Sequence, residues 1–109
     1  MDNLPLWEIY VPVASNQGER YADDYHKKWD AAVRELTGGL TIFKKARGQW
    51  VGDSGLYVEE MIPVRIRCPV EVIRSIGAFT LRYYDQKAVF FSKVSDESYI
   101  MTLDDIVEG

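Results

Sequence analysis

The feature that most constrains the fold is a change of hydrophobic period between the first two segments of the chain. Leu6–Val13 (LWEIYVPV) alternates, with Trp7, Ile9, Val11 and Val13 on one side and Leu6, Glu8, Tyr10 and Pro12 on the other. That is the period of a half-buried strand with one fully apolar face. From Glu19 the period lengthens. Tyr21, Tyr25, Trp29, Ala32, Val33 and Leu36 recur at helical spacing, opposite Asp23, Asp24, Lys27, Lys28, Arg34 and Glu35. A helix is predicted over Glu19–Thr37, with Ser15 or Asn16 supplying the N-cap.

The glycine-rich stretch that follows, GGLTIFKKARGQWVGDSG, poses a choice between a ligand-cradling loop and structural punctuation. Gly38 and Gly39 come directly after the last periodic residue, where glycine caps a helix by taking the left-handed conformation without a Cβ clash. A phosphate loop has the reverse order, glycines before a helix N-terminus. The pair is therefore a stop signal. Leu40–Phe43 and Gly55–Cys68 read as strands of a long hairpin, with its tip at Gly52-Asp53-Ser54-Gly55. Pro63 lacks the donor that an interior strand needs and predicts a bulge between Glu60 and Val64. A second helix is expected over Pro69–Tyr84, opened by proline at its first position and carrying Gly77 at a cost of about 1 kcal/mol. Ala88–Val94 is the fourth strand, and YIMTL a candidate short edge strand.

The order βαββαβ, with short right-handed connections, predicts a single α+β domain over 1–109. It is a ferredoxin-like sandwich, a four-stranded antiparallel sheet with two helices on one face. The other face is left open. Glu8, Tyr10, Arg65, Arg67 and one of Phe90 and Phe91 point there, and covering such a face predicts a homodimer.

Composition narrows the function. The net charge of −4 speaks against a nucleic-acid partner. No apolar run approaches the ~20 residues of a membrane helix, and the N-terminal residues lack the basic start of a signal peptide. A cytoplasmic location is the expectation. One cysteine, Cys68, and one histidine, His26, leave no multi-ligand metal set, and neither metal nor cofactor is expected.

The chemistry-bearing candidates are few. His26 stands four residues before Asp30, a spacing that could tune a general base but more commonly gives a boundary histidine with a surface partner. Glu59 and Glu60 are adjacent and so face opposite ways in a strand, with Arg47 or Arg65 as candidate partners. Cys68 stands at a helix N-terminus yet continues the inward phase of Val64 and Ile66, the pattern of a buried, inert thiol. Lys44, Lys45 and Arg47 make a basic spot beside Gln49 and Trp50.

The segment Leu36–Ile66 resembles a group of small uncharacterised bacterial proteins classed as a domain of unknown function. The shared pattern is Gly39-Leu40-Thr41 entering a strand, Gly48-Gln49-Trp50 after it, and Glu59 or Glu60 on the next strand. The resemblance implies no particular activity. It implies a role for Gly48-Gln49-Trp50 beyond turning the chain.

Two function classes remain. The favoured one is a non-catalytic binding or assembly module acting through its open sheet face and the hairpin, with Arg47, Gln49 and Trp50 lining the surface and Glu59 or Glu60 holding Arg47. The other is a small cofactor-independent enzyme of the dimeric α+β barrel type, acting on a small acidic or aromatic substrate. It would use His26, Arg47, Trp50, Glu59 and Glu60.

Overall fold

The computed structural model describes residues 2–106. The elements run β1 (Leu6–Pro12), α1 (Asp23–Thr37), β2 (Thr41–Ile42), β3 (Ala46–Gly52), β4 (Gly55–Arg67), α2 (Val70–Tyr83), β5 (Phe91–Ser95) and a single 3₁₀ turn, Leu103–Asp105. The antiparallel sheet has the order β2-β4-β1-β5, and β3 also pairs with β4. This is the predicted βαββαβ architecture with one strand divided in two.

Both helices lie on one face. Trp7, Ile9 and Val11 of β1 and Val64 and Ile66 of β4 join Trp29, Val33, Ile73 and Ile76 of the helices in one buried cluster. Two buried polar groups in the core are internally matched: Trp29 Nε1 donates to Thr80 Oγ1 at 3.1 Å, and that hydroxyl donates to the Ile76 carbonyl at 2.6 Å. Gly77 is explained by contact. A Cβ there would stand 3.3 Å from the Phe91 ring, so the missing side chain lets α2 settle on β5.

Several boundaries differ from expectation. α1 begins at Asp23, capped by the backbone of Ala22, because Ser15 Oγ accepts from the amides of Gln17 and Glu19 and closes a turn within the preceding loop instead. The stop at Gly38 is as predicted, with φ 88° and its amide bonded to the Arg34 carbonyl. The LTIF strand is reduced to Thr41–Ile42 and resumes as Ala46–Gly52. The reason lies in the register. Ile42 pairs with Val64 and Ala46 with Met61, so three residues face two, and the bulge predicted in β4 near Pro63 is on its partner instead. Pro63 stays in strand beside Tyr10, its carbonyl accepting from Phe43. The last strand starts at Phe91, and YIMTL forms no strand: residues 99–102 lie in neither helix nor strand, and Leu103 opens the 3₁₀ turn.

The hairpin tip is where the turn chemistry places it, at Gly52 and Gly55. β1 pairs with β4 only as far as Met61, so β3 and the first half of β4 continue as a two-stranded arm. The molecule measures 63 × 29 × 24 Å with a radius of gyration of 16.2 Å, against about 13 Å for a compact chain of this length. Among the described residues no helix is long and apolar enough to cross a membrane.

Candidate functional site

Strand parity sorts the arm into two faces. Gly48, Trp50, Tyr57 and Glu59 continue the open face of the sheet, while Arg47, Gln49, Val51, Leu56, Val58 and Glu60 lie on the helix side. Glu59 and Glu60 therefore part company, as their adjacency requires. Glu59 Oε1 accepts from Trp50 Nε1 at 2.8 Å. Glu60 pairs with Lys45 at 2.8 Å and Arg20 at 3.5 Å, and the Lys45 bond above all holds its carboxyl below the usual range.

Neither carboxylate holds Arg47, which corrects the expected clamp. Lys45 and Arg20 take Glu60 first, and Glu59 is on the other face. Arg65 is likewise engaged elsewhere, with Glu8 directly across the sheet at 3.1 Å and with its guanidinium 5.1 Å from the Phe43 ring. Among the described residues Arg47 makes no ion pair.

The Gly48-Gln49-Trp50 motif has a packing logic. A Cβ on Gly48 would lie 2.5 Å from the Met61 methyl and 3.2 Å from the Trp50 ring, so the indole lies across the bare glycine and covers Met61. The ring is still 42% exposed. It sits 6.5 Å from Phe90, which stacks on Tyr10 at 5.0 Å. Trp50, Phe90, Tyr10 and the Glu59 carboxylate thus form an aromatic shelf at the root of the arm. Phe90 is the outward member of its pair, since Phe91 packs on Gly77 and Trp7.

Two hollows adjoin the shelf. A crevice of about 60 Å³ is bounded by Tyr10, Trp50, Glu59, Met61 and Phe90, among others. An open cleft of about 620 Å³ separates the arm from the Pro12–Gly18 loop and is lined by Ser15, Asn16, Arg47, Val58, Glu59 and Glu60. Of the sequence candidates, Arg47, Trp50, Glu59 and Glu60 are brought together here. Gln49 lies nearby on the helix-side face of the arm, outside both hollows.

His26 belongs elsewhere. With Asp23, Lys27 and Asp30 it lines a separate cleft of about 230 Å³, floored by Val11, Ile62 and Val64. Its Nδ1 is 2.7 Å from the buried Tyr84 hydroxyl rather than bonded to Asp30. Burial pushes the imidazole below its ordinary pKa, with the Asp30 and Asp23 charges acting the other way, and burial raises Asp30. Pattern reading places Tyr10 and one of Phe90 and Phe91 on the open face without joining them to Trp50, and it gives no sign of Tyr84 as the partner of His26. The only signal for Tyr10 and Phe90 was their outward strand phase.

Cys68 is buried and its thiol is pushed up to about 11 by that burial, which makes it a poor nucleophile. Among the described residues no group of three His, Cys, Asp or Glu side chains could hold a metal ion.

No protein-family model matches the chain, and no curated protein matches it. Solved structures do. A phage SAM lyase in complex with S-methyl-5'-thioadenosine superposes with a TM-score of 0.65 at 16% identity, over 98% of this chain and 96% of that one. The periplasmic divalent cation tolerance protein CutA from Archaeoglobus fulgidus gives 0.64 at 8% identity, over 88% and 86%. The stable protein CutA1 from the psychrotrophic bacterium Shewanella sp. SIB1 gives 0.62 at 13%, over 100% and 87%. At these identities the likeness establishes the fold, and the chain is a ferredoxin-like α+β domain.

Proposed function

We propose that the protein is a self-associating binding module whose ligand site is the shelf of Trp50, Phe90, Tyr10 and Glu59, closed over by a second copy of the chain. The observation that carries this reading is the shelf itself: a half-exposed indole held flat by Gly48, with a carboxylate fixed at its edge. A solvated hairpin has no need of either. The hollow beneath it, about 60 Å³, has room for roughly two waters, and the adjoining cleft is open. Small-molecule sites normally bury 70–90% or more of their ligand, so a ligand here needs a second chain for its cover. The arm and the open sheet face are the surfaces by which that chain would attach.

The chemistry of the site selects the ligand class. Flat rings stack on the shelf, and the free oxygen of Glu59 accepts from a cation or N–H group. A molecule that carries an aromatic ring and a cationic group satisfies both. The measurement is the Trp fluorescence of the protein titrated with S-adenosylmethionine and S-methyl-5'-thioadenosine. Saturable quenching that is lost in Trp50→Phe and in Glu59→Gln supports the reading. Equal quenching in wild type and in both variants sinks it.

A second reading is favoured by one observation, the end-to-end match to the phage SAM lyase. On that reading the bond from the sulfonium sulfur of bound S-adenosylmethionine to its four-carbon amino-acid arm breaks, the arm's own carboxylate displacing the sulfur, so that S-methyl-5'-thioadenosine and homoserine lactone leave together while Glu59 holds the substrate's cationic end. Chromatography of the incubated mixture decides between them. Release of the thioether above the uncatalysed rate makes the protein an enzyme, and binding without release leaves it a module.

A further inference from the structure

Two apolar surfaces of the molecule are uncovered, and they lie at opposite ends of β4. The first is the helix side of the arm, where Val51 is 88%, Leu56 62% and Val58 54% exposed. The second is the segment after β5, where Ile100 is 63%, Met101 64%, Leu103 85% and Ile106 55% exposed. That segment is tied down at its start. The Ser98 hydroxyl donates to the Leu4 carbonyl at 2.6 Å, and Arg67 donates to the Ser98 hydroxyl at 2.9 Å and to its carbonyl at 2.7 Å.

Arg67 closes β4, whereas Leu56 and Val58 stand near its beginning. Ten strand residues, roughly 33 Å, separate the anchor from the arm. The eight residues from Tyr99 to Ile106 would reach about 27 Å if fully extended, and the 3₁₀ turn shortens them further. Within one chain these surfaces do not meet.

Their chemistry is complementary. The arm's helix side carries Arg47 among its apolar residues, and the segment carries Asp104 among its own. The arm also offers open backbone edges, because β1 no longer flanks β4 beyond Met61 and β3 has no outer neighbour. Residues 99–101 belong to no strand or helix of their own chain, and an added strand at such an edge would pair their backbone.

We infer that the segment 99–106 of one copy docks on the β3–β4 arm of another, seating Ile100, Met101 and Leu103 against Val51, Leu56 and Val58, with Asp104 at Arg47. Made reciprocally, this contact closes a two-fold pair; repeated head to tail, it closes a larger ring. The inference rests on the self-association proposed above and adds to it a contact on the helix side of the arm, opposite the shelf.

The test uses the whole chain in two single variants, Leu56→Cys and Leu103→Cys, with the buried Cys68 left in place. Oxidised as a mixture they form a disulfide-linked pair carrying one of each variant, identified by mass, and neither alone does so at comparable yield. Deleting residues 99–109 weakens association at least tenfold in sedimentation equilibrium and leaves the far-UV spectrum and melting of the body unchanged. Linkage of Leu56→Cys to itself, or undiminished association of the shortened chain, overturns this contact while leaving self-association intact. A wild-type mass of 12.5 kDa at every concentration up to hundreds of micromolar overturns self-association and this contact together.

Discussion

At the scale of single residues, burial separates two tryptophans that look alike in the sequence. Trp29 is 1% exposed and bonded to Thr80, whereas Trp50 keeps 42% of its surface in solvent. Truncating a fully buried tryptophan removes packing on every side, so Trp29→Ala is expected to cost about 3–5 kcal/mol in chemical denaturation. Trp50→Ala loses contact with Gly48, Met61 and Phe90 on one side only, and its expected cost is about 1 kcal/mol. Equal losses would mean that the arm's aromatic shelf is part of the core.

His26 makes a prediction with a definite sign. Burial lowers its pKa in the folded state, so between that value and about 6.5 the unfolded chain binds the extra proton. Its contribution to stability is complete above about pH 6.5 and is lost as pH falls through the folded value. Asp30, raised by burial, acts in the opposite sense at lower pH: its contribution is present below the unfolded carboxylate value and gone once pH passes its folded value. Stability of wild type should therefore fall as pH drops below about 6.5, and His26→Gln should flatten that slope. An unchanged slope would show that another group governs the window.

At the scale of elements, the ends of α1 show which local signals carry weight. Gly38 sits at φ 88°, a conformation that costs a residue with a Cβ about 1–2 kcal/mol. Gly38→Ala is expected to lose roughly that much, and Gly38→Asn distinctly less. The N-terminus is different. Ala22 offers no side-chain cap, and α1 is held by Trp29 and Val33 in the core rather than by its first turn. The arm is the element with least support from its own chain, since isolated two-stranded ribbons are marginal in water. Amide exchange should be fast from Gln49 to Val58 in dilute protein and slow markedly as the concentration rises, while Ile9 and Val64 stay protected throughout. Concentration-independent exchange in the arm would count against any contact there.

At the scale of the whole molecule, the 63 Å length is the fact that needs an explanation. A body of two helices on a sheet is compact; the excess is the arm. Shortening the arm by removing Gln49–Val51 and Leu56–Val58 together, with the Gly52–Gly55 turn kept, should leave a chain that melts as one unit and sediments as a monomer. A shortened chain that no longer folds would show that the arm supports the body rather than linking copies.

The order of elements and the inward faces were legible in the sequence because they follow from local period. Trp7, Ile9 and Val11 on one strand, Val64 and Ile66 on another, and Trp29 and Val33 on a helix each declare a side before any contact is made. The stop at Gly38 and the turn at Gly52–Gly55 are likewise local, because backbone conformation at one or two residues decides them. Partners were not legible. Which base takes Glu60, whether Arg47 has a carboxylate, and where His26 finds its hydrogen bond all depend on residues outside the local segment, brought close by sheet register and helix packing. The bulge moved from Pro63 to the strand beside it for the same reason: register belongs to a pair of strands, and a single sequence segment carries only half of it.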